Sequence, residues 1–158
     1  MKFKNILLEV LSVGNVVYHG TYDEHSFNAR GSLFDGTFFS SDINVAKSYG
    51  TIVYKIYLKD SLNLFDVTDI KNVELIFEHF DELYDNYYDI SEDEHYIRTV
   101  DDFLNHSDNW SIVESTDGLM DWLGSNYDGI WIIEGGSEKN LLLFSNVKEK
   151  IKNIQRIQ

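Results

Sequence analysis

The sequence predicts an α+β domain in which two strand-rich segments flank an acidic helical one. Short runs of β-branched and aromatic residues, which favour strands, fill Met1–Asp66 and return in Trp110–Gln158. Between them, the apolar residues of Val73–Asp108 recur three and four positions apart, as on one face of a helix. The length of 158 residues suits one domain. We therefore expect a single domain over residues 1–158 with an acidic helical insertion at about 73–108.

The first segment opens with elements that its turn residues delimit. Met1–Val10 contains an apolar run cut by Glu9, so we interpret it as a first helix or strand of the mature protein rather than a signal peptide. Asn15–His19 is a predicted buried strand, and Gly20 is expected to end it. Asp23–Ser32 is rich in turn formers and predicts a loop.

A short strand and a capped helix come next. Gly36–Ser40 is the predicted strand, and Ser41 or Asp42 is the expected N-cap of a helix over Ile43–Tyr49. Thr51–Leu58 alternates its side chains between two faces and predicts another strand.

The acidic segment follows an extended stretch at Asn63–Asp66. The apolar spacing predicts one helix from Val73 to Tyr84 and a second that includes Glu94–Leu104. Between Glu74 and Asp108 the chain has twelve acidic residues and one basic residue, Arg98. Such a charge run is typical of a solvated face.

The last segment returns to strands and ends in a basic tail. Its predicted elements are a helix over Thr116–Leu123 stopped by Gly124, a strand over Gly129–Glu134, a tight turn over Gly135–Lys139, a returning strand over Asn140–Phe144, and an edge strand within Val147–Ile154.

The composition excludes several classes of function. The formal net charge of −14 is unlike a nucleic-acid-binding surface, where cations meet phosphates, so we expect no direct nucleic-acid binding. There is no cysteine, and the five histidines show no spacing suited to zinc, so no metal site is expected. No apolar run approaches the roughly 20 residues of a membrane span, and we expect no membrane association.

Two sequence motifs carry candidate chemistry. Tyr18–Thr21 places an imidazole, a glycine that permits close approach of a ligand, and a hydroxyl at the end of a buried strand. Phe38–Tyr49 combines an aromatic strand with a short helix, and Tyr49 could lie over a planar ring. From the residues alone, a histidine at a strand end and an aromatic residue packed in the core explain the same patterns.

A third motif extends the pattern to the end of the chain. Tyr127-Asp128-Gly129-Ile130 opens a strand, Asn140–Phe144 follows the Gly-Gly turn, and a lysine-containing tail closes the chain. In this order, the three motifs resemble the ADP-ribosyltransferase superfamily, in particular its small phage and mobile-element branch, which includes ADP-ribosylating anti-CRISPR proteins. The resemblance leaves out about Val73–Asp108. It implies a split antiparallel β-sheet core and the cofactor NAD.

The resemblance also implies a set of cofactor-binding residues. His19 would hold a ribose hydroxyl of NAD, Gly20 would hold the nicotinamide amide through its backbone, and Tyr49 would stack on the nicotinamide ring. The whole implied set is Tyr18, His19, Gly20, Thr21, Phe39, Ser40, Ser41 and Tyr49.

The acid that the family uses is missing from its usual place in this chain. The family has an acidic residue at the start of its late strand, where this sequence has Asn140. An amide is not a general base, although it can hydrogen-bond a ribose hydroxyl. Asp128, which opens the preceding strand, is the preferred substitute. Glu138 shares a face with Asn140 if the strand extends that far, and Glu134 is also nearby in sequence. The catalytic candidates are thus Asp128, His19, Glu138 and Asn140.

The expected function is that of an NAD-dependent mono-ADP-ribosyltransferase. The resemblance implies a phage-type effector in the host cytoplasm that modifies a host protein, such as a CRISPR or other defence complex with a basic nucleic-acid-binding surface. The alternative is a non-enzymatic inhibitor on a degenerate fold of this type, whose acidic helices imitate a nucleic acid.

Overall fold

The computed structural model describes residues 15–23, 38–86, 96–134 and 138–158. These residues confirm the α+β class. They form two compact units, one within residues 1–62 and 145–158 and the other within residues 63–144. The predicted element at Met1–Val10, most of the loop at Asp23–Ser32, and the Gly-Gly part of the turn at Gly135–Lys139 lie outside the described residues.

The strands and helices alternate irregularly along the chain. The strands are β1 (Val16–Thr21), β2 (Phe38–Ser40), β3 (Ile52–Leu58), β4 (Leu64–Asp66), β5 (Leu83–Tyr84), β6 (Tyr96–Ile97), β7 (Gly129–Ile133), β8 (Lys139–Leu143) and β9 (Ile151–Arg156). The helices are α1 (Ile43–Ser48), α2 (Ile70–His79), α3 (Val100–Asn105), α4 (Asn109–Ser115), α5 (Leu119–Asn126) and α6 (Val147–Lys150).

The first unit contains four antiparallel strands in the order β2-β1-β3-β9. Strand β1 runs through Thr21, which pairs with Ile52, so the prediction that Gly20 ends the strand is wrong. The continued pairing with β3 provides backbone hydrogen-bond partners beyond the glycine, and this outweighs its local tendency to break a strand.

Helix α1 packs directly on β1. Asp42 is its N-cap, with Oδ1 accepting a hydrogen bond of 2.6 Å from the amide of Asn44. A Cβ atom at Gly20 would lie 1.7 Å from the carbonyl oxygen of Ala46, and one at Gly50 would lie 2.1 Å from the carbonyl carbon of Thr21. The two glycines therefore let the helix and the chain that follows it lie against the strand backbone.

The second unit contains a small mixed sheet and most of the helices. β4 pairs with β7 in parallel, and β7 pairs with β8 antiparallel. The resemblance implies an antiparallel core, and this prediction is wrong for the pair of β4 and β7. A parallel pair needs a long crossover connection, which the chain between β4 and β7 supplies with helices α2 to α5.

The acidic segment is less helical than its spacing predicts. Leu83 and Tyr84 form β5, and Tyr96 and Ile97 form β6, where helices were expected. The two strands pair so that Leu83 lies opposite Ile97, and both side chains are buried. Pairing between segments distant in sequence thus overrides local helical spacing.

Three later elements also differ from their predictions. Helix α4 was not predicted, and α5 starts at Leu119 and continues through Gly124 to Asn126. The basic end forms a helical turn, α6, before the predicted edge strand β9. Glycine costs only about 1 kcal/mol inside a helix, so Gly124 does not stop α5 where the helix packs against the rest of the unit.

The two glycines Gly20 and Gly124 should respond oppositely to alanine. Gly20→Ala forces a methyl group into the Ala46 carbonyl, and we expect a loss of at least about 1–3 kcal/mol in the free energy of unfolding. Gly124→Ala meets only ordinary contacts at 3.8 Å and should stabilise the protein by about 0.5–1 kcal/mol. Chemical denaturation of both variants measures the difference, and equal stability for Gly20→Ala and the wild type would contradict the packing.

Candidate functional site

Strand alternation divides the predicted cofactor residues between the two faces of β1. The face covered by α1 carries Gly20 and Tyr18, and Tyr18 lies opposite Ser40 of β2. His19 and Thr21 point to the other face, where His19 lies opposite the buried Tyr54. The structure therefore brings Tyr18, Gly20 and Ser40 together, but it does not place their side chains with that of His19.

The imidazole of His19 has a defined orientation. Its Nδ1 lies 3.1 Å from the carbonyl oxygen of Phe38. A carbonyl only accepts hydrogen bonds, so Nδ1 carries the hydrogen and Nε2 is the acceptor nitrogen of the neutral ring. The ring of Phe39 lies 5.7 Å away, centroid to centroid, and is tilted by 56°. Strands β1 and β2 thus hold one tautomer of one histidine in place.

Burial keeps this histidine uncharged near neutral pH. Desolvation lowers the pKa of His19, and this effect exceeds the opposite effect of the Phe38 carbonyl, which favours the charged form. A neutral imidazole with its hydrogen on Nδ1 can accept a hydrogen bond from a hydroxyl group at Nε2. A ribose hydroxyl is one such group.

The predicted hydroxyl groups also support local turns. Thr21 Oγ1 lies 3.1 Å from the amide of Asp23 and 3.3 Å from its carbonyl oxygen. Ser40 Oγ accepts a hydrogen bond of 3.1 Å from the amide of Asp42, directly before α1. Ser41 is exposed. The Thr21 and Ser40 side chains therefore shape the chain around the strand ends.

The predicted aromatic residues have opposite surroundings. Phe39 is buried and supports the ring of His19, whereas Tyr49 is 60% exposed at the end of α1. Tyr22, which the sequence analysis did not single out, is 75% exposed. Each tyrosine is one residue from the close contact between Thr21 and Gly50. Its position directly after Thr21 was the only sequence signal for Tyr22.

Asp128 has a clear structural contact in the second unit. Its Oδ2 accepts a hydrogen bond of 2.8 Å from the amide of Asn63, and its own amide donates to the Asn63 carbonyl at 2.8 Å. Its carbonyl accepts from the amide of Phe144 at 3.0 Å. Asp128 therefore ties the residue before β4 to the start of β7, and its predicted catalytic role stays a prediction.

Glu134, directly after β7, has a raised pKa. Burial raises its pKa most, the negative charges of Asp108 and Glu114 raise it further, and a hydrogen bond with the Asn140 side chain lowers it. Asn140 is 5% exposed on β8. Glu138 is exposed and precedes β8, so the strand does not extend far enough to place Glu138 and Asn140 on a common face.

Within residues 15–23, 38–86, 96–134 and 138–158, no three histidine or acidic side chains are arranged to hold a metal ion. None of the helices in these ranges combines the length and the apolar character needed to cross a membrane.

Comparisons with known proteins gave one structural likeness. No protein-family profile matches the sequence, and no curated protein matches it. Among solved structures, the chain is similar to one titled "Crystal structure of an anti-CRISPR protein". The two are 14% identical with a TM-score of 0.45, over 90% of this chain and 94% of the other. This likeness does not establish membership of the ADP-ribosyltransferase superfamily.

The lowered pKa of His19 predicts a loss of stability in acid. The unfolded chain binds a proton near the ordinary pKa of about 6.5, whereas the folded chain does so only at lower pH. The free energy of unfolding should therefore fall as the pH drops below about 6.5, by up to about 1.4 kcal/mol per pH unit from this group. Urea denaturation of the wild type and His19→Gln between about pH 7.5 and 5 measures it, and parallel pH profiles would refute the assignment.

Asn140→Asp should create a repulsive pair with Glu134. Two neighbouring carboxylates cannot both ionise without cost, so we expect a loss of about 1–3 kcal/mol at about pH 8 that shrinks toward about pH 5, where the pair shares a proton. The exposed Asn153 provides a control, since Asn153→Asp should show little change. If Asn140→Asp lowers the free energy of unfolding equally at both pH values, this result would contradict the contact between residue 140 and Glu134.

Proposed function

We propose that this chain binds an NAD-type dinucleotide at the end of β1 and transfers its ADP-ribose to a protein. The observation that supports this most is the environment of His19. Its imidazole is neutral, half-buried and oriented by the Phe38 carbonyl. In the family that the sequence resembles, the histidine of this motif holds a ribose hydroxyl. In this proposal, the ribose hydroxyl donates a hydrogen bond to Nε2.

The exposed tyrosines next to this strand end suit the planar parts of a dinucleotide. Tyr49 is 60% and Tyr22 is 75% exposed, so either ring can cover a nicotinamide or adenine face and lose contact with water as it does so. Gly20 has a packing role against Ala46, and in the proposal its backbone still provides the contact with the nicotinamide amide.

The proposed reaction is a dissociative glycosyl transfer. The C–N bond to nicotinamide breaks, and nicotinamide leaves with the bonding electrons while positive charge builds on the ribose. A nucleophilic side chain of the target then bonds to the anomeric carbon and loses its proton. A carboxylate would stabilise the developing charge. Asp128 is the first candidate for this role, and Glu134, another acid near the late strands in sequence, is the second.

The target class follows from the motif resemblance and the charge of the chain. We propose a host protein with a basic surface, such as a nucleic-acid-binding component of a CRISPR or other defence complex. A net charge of −14 favours approach to such a surface.

Nicotinamide release from NAD, with and without host extract, tests the enzyme proposal. We expect His19→Gln to reduce kcat/KM about tenfold or more, since it alters the group that accepts the ribose hydrogen bond. His79→Gln is the matched control, because His79 makes the same kind of Nδ1 contact, 3.0 Å from the Leu75 carbonyl, on an exposed helix face. Equal activity of His19→Gln and His79→Gln would overturn the His19 assignment.

The same assay compares the candidate acids. Removal of the carboxylate that stabilises the ribose should reduce kcat by about 10²–10³. We therefore compare the kcat of Asp128→Asn with that of Glu134→Gln. Their melting temperatures show whether both variants are folded under the conditions of the assay. If each variant retains wild-type kcat, both assignments fail.

A non-enzymatic inhibitor is the second candidate, and one observation favours it. Asn140 occupies the place where the family has its acid, and it is buried in contact with Glu134. In this case the protein binds its basic partner without NAD, and the affinity falls steeply with salt. Binding measured with and without NAD at two salt concentrations separates the two functions.

A further inference from the structure

A cavity of about 360 Å³ opens within the second unit. Its volume is at the lower end of the roughly 300–1,000 Å³ that is usual for small-ligand sites. The lining combines aromatic rings with acidic and hydroxyl side chains from α2, β5, β6 and the end of α4. The lining residues are Phe80, Glu82, Leu83, Tyr84, Tyr96, Ser115, Thr116 and Asp117.

The aromatic wall of this cavity is held in place by strand pairing. Tyr84 and Tyr96 lie opposite each other in the β5–β6 ladder, and their rings meet edge to face at 5.3 Å. Thr116 Oγ1 accepts a hydrogen bond of 2.9 Å from the Tyr84 amide, and Ser115 Oγ accepts one of 3.1 Å from the Asn86 amide. These bonds join the backbone of β5 and the residue Asn86 to the end of α4.

An arginine of this chain already uses part of the lining. The guanidinium carbon of Arg98 lies 5.2 Å from the centroid of the Tyr96 ring, and its Nε lies 3.5 Å from Oε2 of Glu82. Both side chains of this ion pair are at least half exposed, so the pair contributes little stability and can exchange partners. The contact shows that Glu82 and Tyr96 together accept a guanidinium group.

We propose that this cavity binds an arginine side chain from a basic segment of a partner protein. The electron-rich faces of Tyr84, Tyr96 and Phe80 attract a planar cation. Glu82 and Asp117 supply carboxylates of opposite charge, and the guanidinium offers five hydrogen-bond donors to them. The sequence from Glu74 to Asp108, which supplies Glu82 and both tyrosines of the lining, has twelve acidic residues against one basic residue, and this charge attracts basic peptides. The site needs no NAD and stands apart from the proposed transfer reaction.

A pair of tripeptides tests the recognition of the guanidinium group. The probes are acetyl-Gly-Arg-Gly-amide and the same peptide with citrulline, which has the shape of arginine without its charge. We expect saturable binding of the arginine peptide, measured from the NMR shifts of residues that line the cavity. The citrulline peptide should bind at least about tenfold more weakly. Equal binding of the two peptides, or shifts spread over the whole acidic surface, would overturn the proposal.

Single substitutions separate the cavity from the general negative field. Glu82→Gln and Tyr96→Ala should each weaken the arginine peptide several-fold to about tenfold. Glu78→Gln removes the same charge from an exposed position of α2 outside the lining, and it should leave the affinity nearly unchanged. If Glu78→Gln weakens binding as much as Glu82→Gln, the attraction is diffuse and the cavity is not the site.

Arg98 provides a test with the opposite sign. If the guanidinium of Arg98 competes with the ligand for Glu82 and Tyr96, Arg98→Gln should raise the affinity for the arginine peptide. We expect this increase to be a few-fold larger than the one caused by removing a positive charge outside the cavity. Lys71→Gln, at an exposed position of α2, is the charge-matched control. Equal effects of the two substitutions would refute competition at this site.

Discussion

The direct contact between α1 and β1 determines the arrangement of the first unit. The helix lies so close to the strand that no side chain fits at Gly20, where the carbonyl oxygen of Ala46 occupies the space. Because strand side chains alternate, this contact commits one face of β1 to the helix and directs His19 to the other. The face of β1 on which the imidazole lies is therefore a consequence of backbone packing.

Several acidic residues of this strongly negative chain stabilise its local structure. Asp42, Asp69 and Asp108 cap helices through their side chains. Asp66 accepts a hydrogen bond of 2.7 Å from Lys139, and although burial raises its pKa most strongly, its hydrogen bonds and the lysine charge hold the pKa below its usual value. These residues stabilise the protein through hydrogen bonds in addition to carrying charge, so the position of each acid is more informative than the total.

Most strands among the described residues were predicted from the sequence, because their alternation and their turn residues are local signals. The helix after Asp42 and the β7–β8 hairpin are examples. The pairing of Leu83 with Ile97 was missed, since that contact joins segments whose own spacing favours helices. The motif around His19 indicated a residue near the end of a strand, and the role of His19 in a site stays a prediction. The strand continues to Thr21. The face of this strand that α1 covers was not predicted, because that contact joins separate elements. The raised pKa of Glu134 likewise depends first on burial and then on the charges of Asp108 and Glu114, which are distant in sequence.

The partner that orients His19 is a main-chain carbonyl, that of Phe38. Every amino acid provides such a carbonyl, so substitution of the Phe38 side chain leaves the acceptor in place as long as β2 keeps its path. The tautomer of His19 is in this sense robust to mutation at its hydrogen-bond partner. Sequence drift in β2 would change the packing around the imidazole long before it changed the nitrogen that carries the proton.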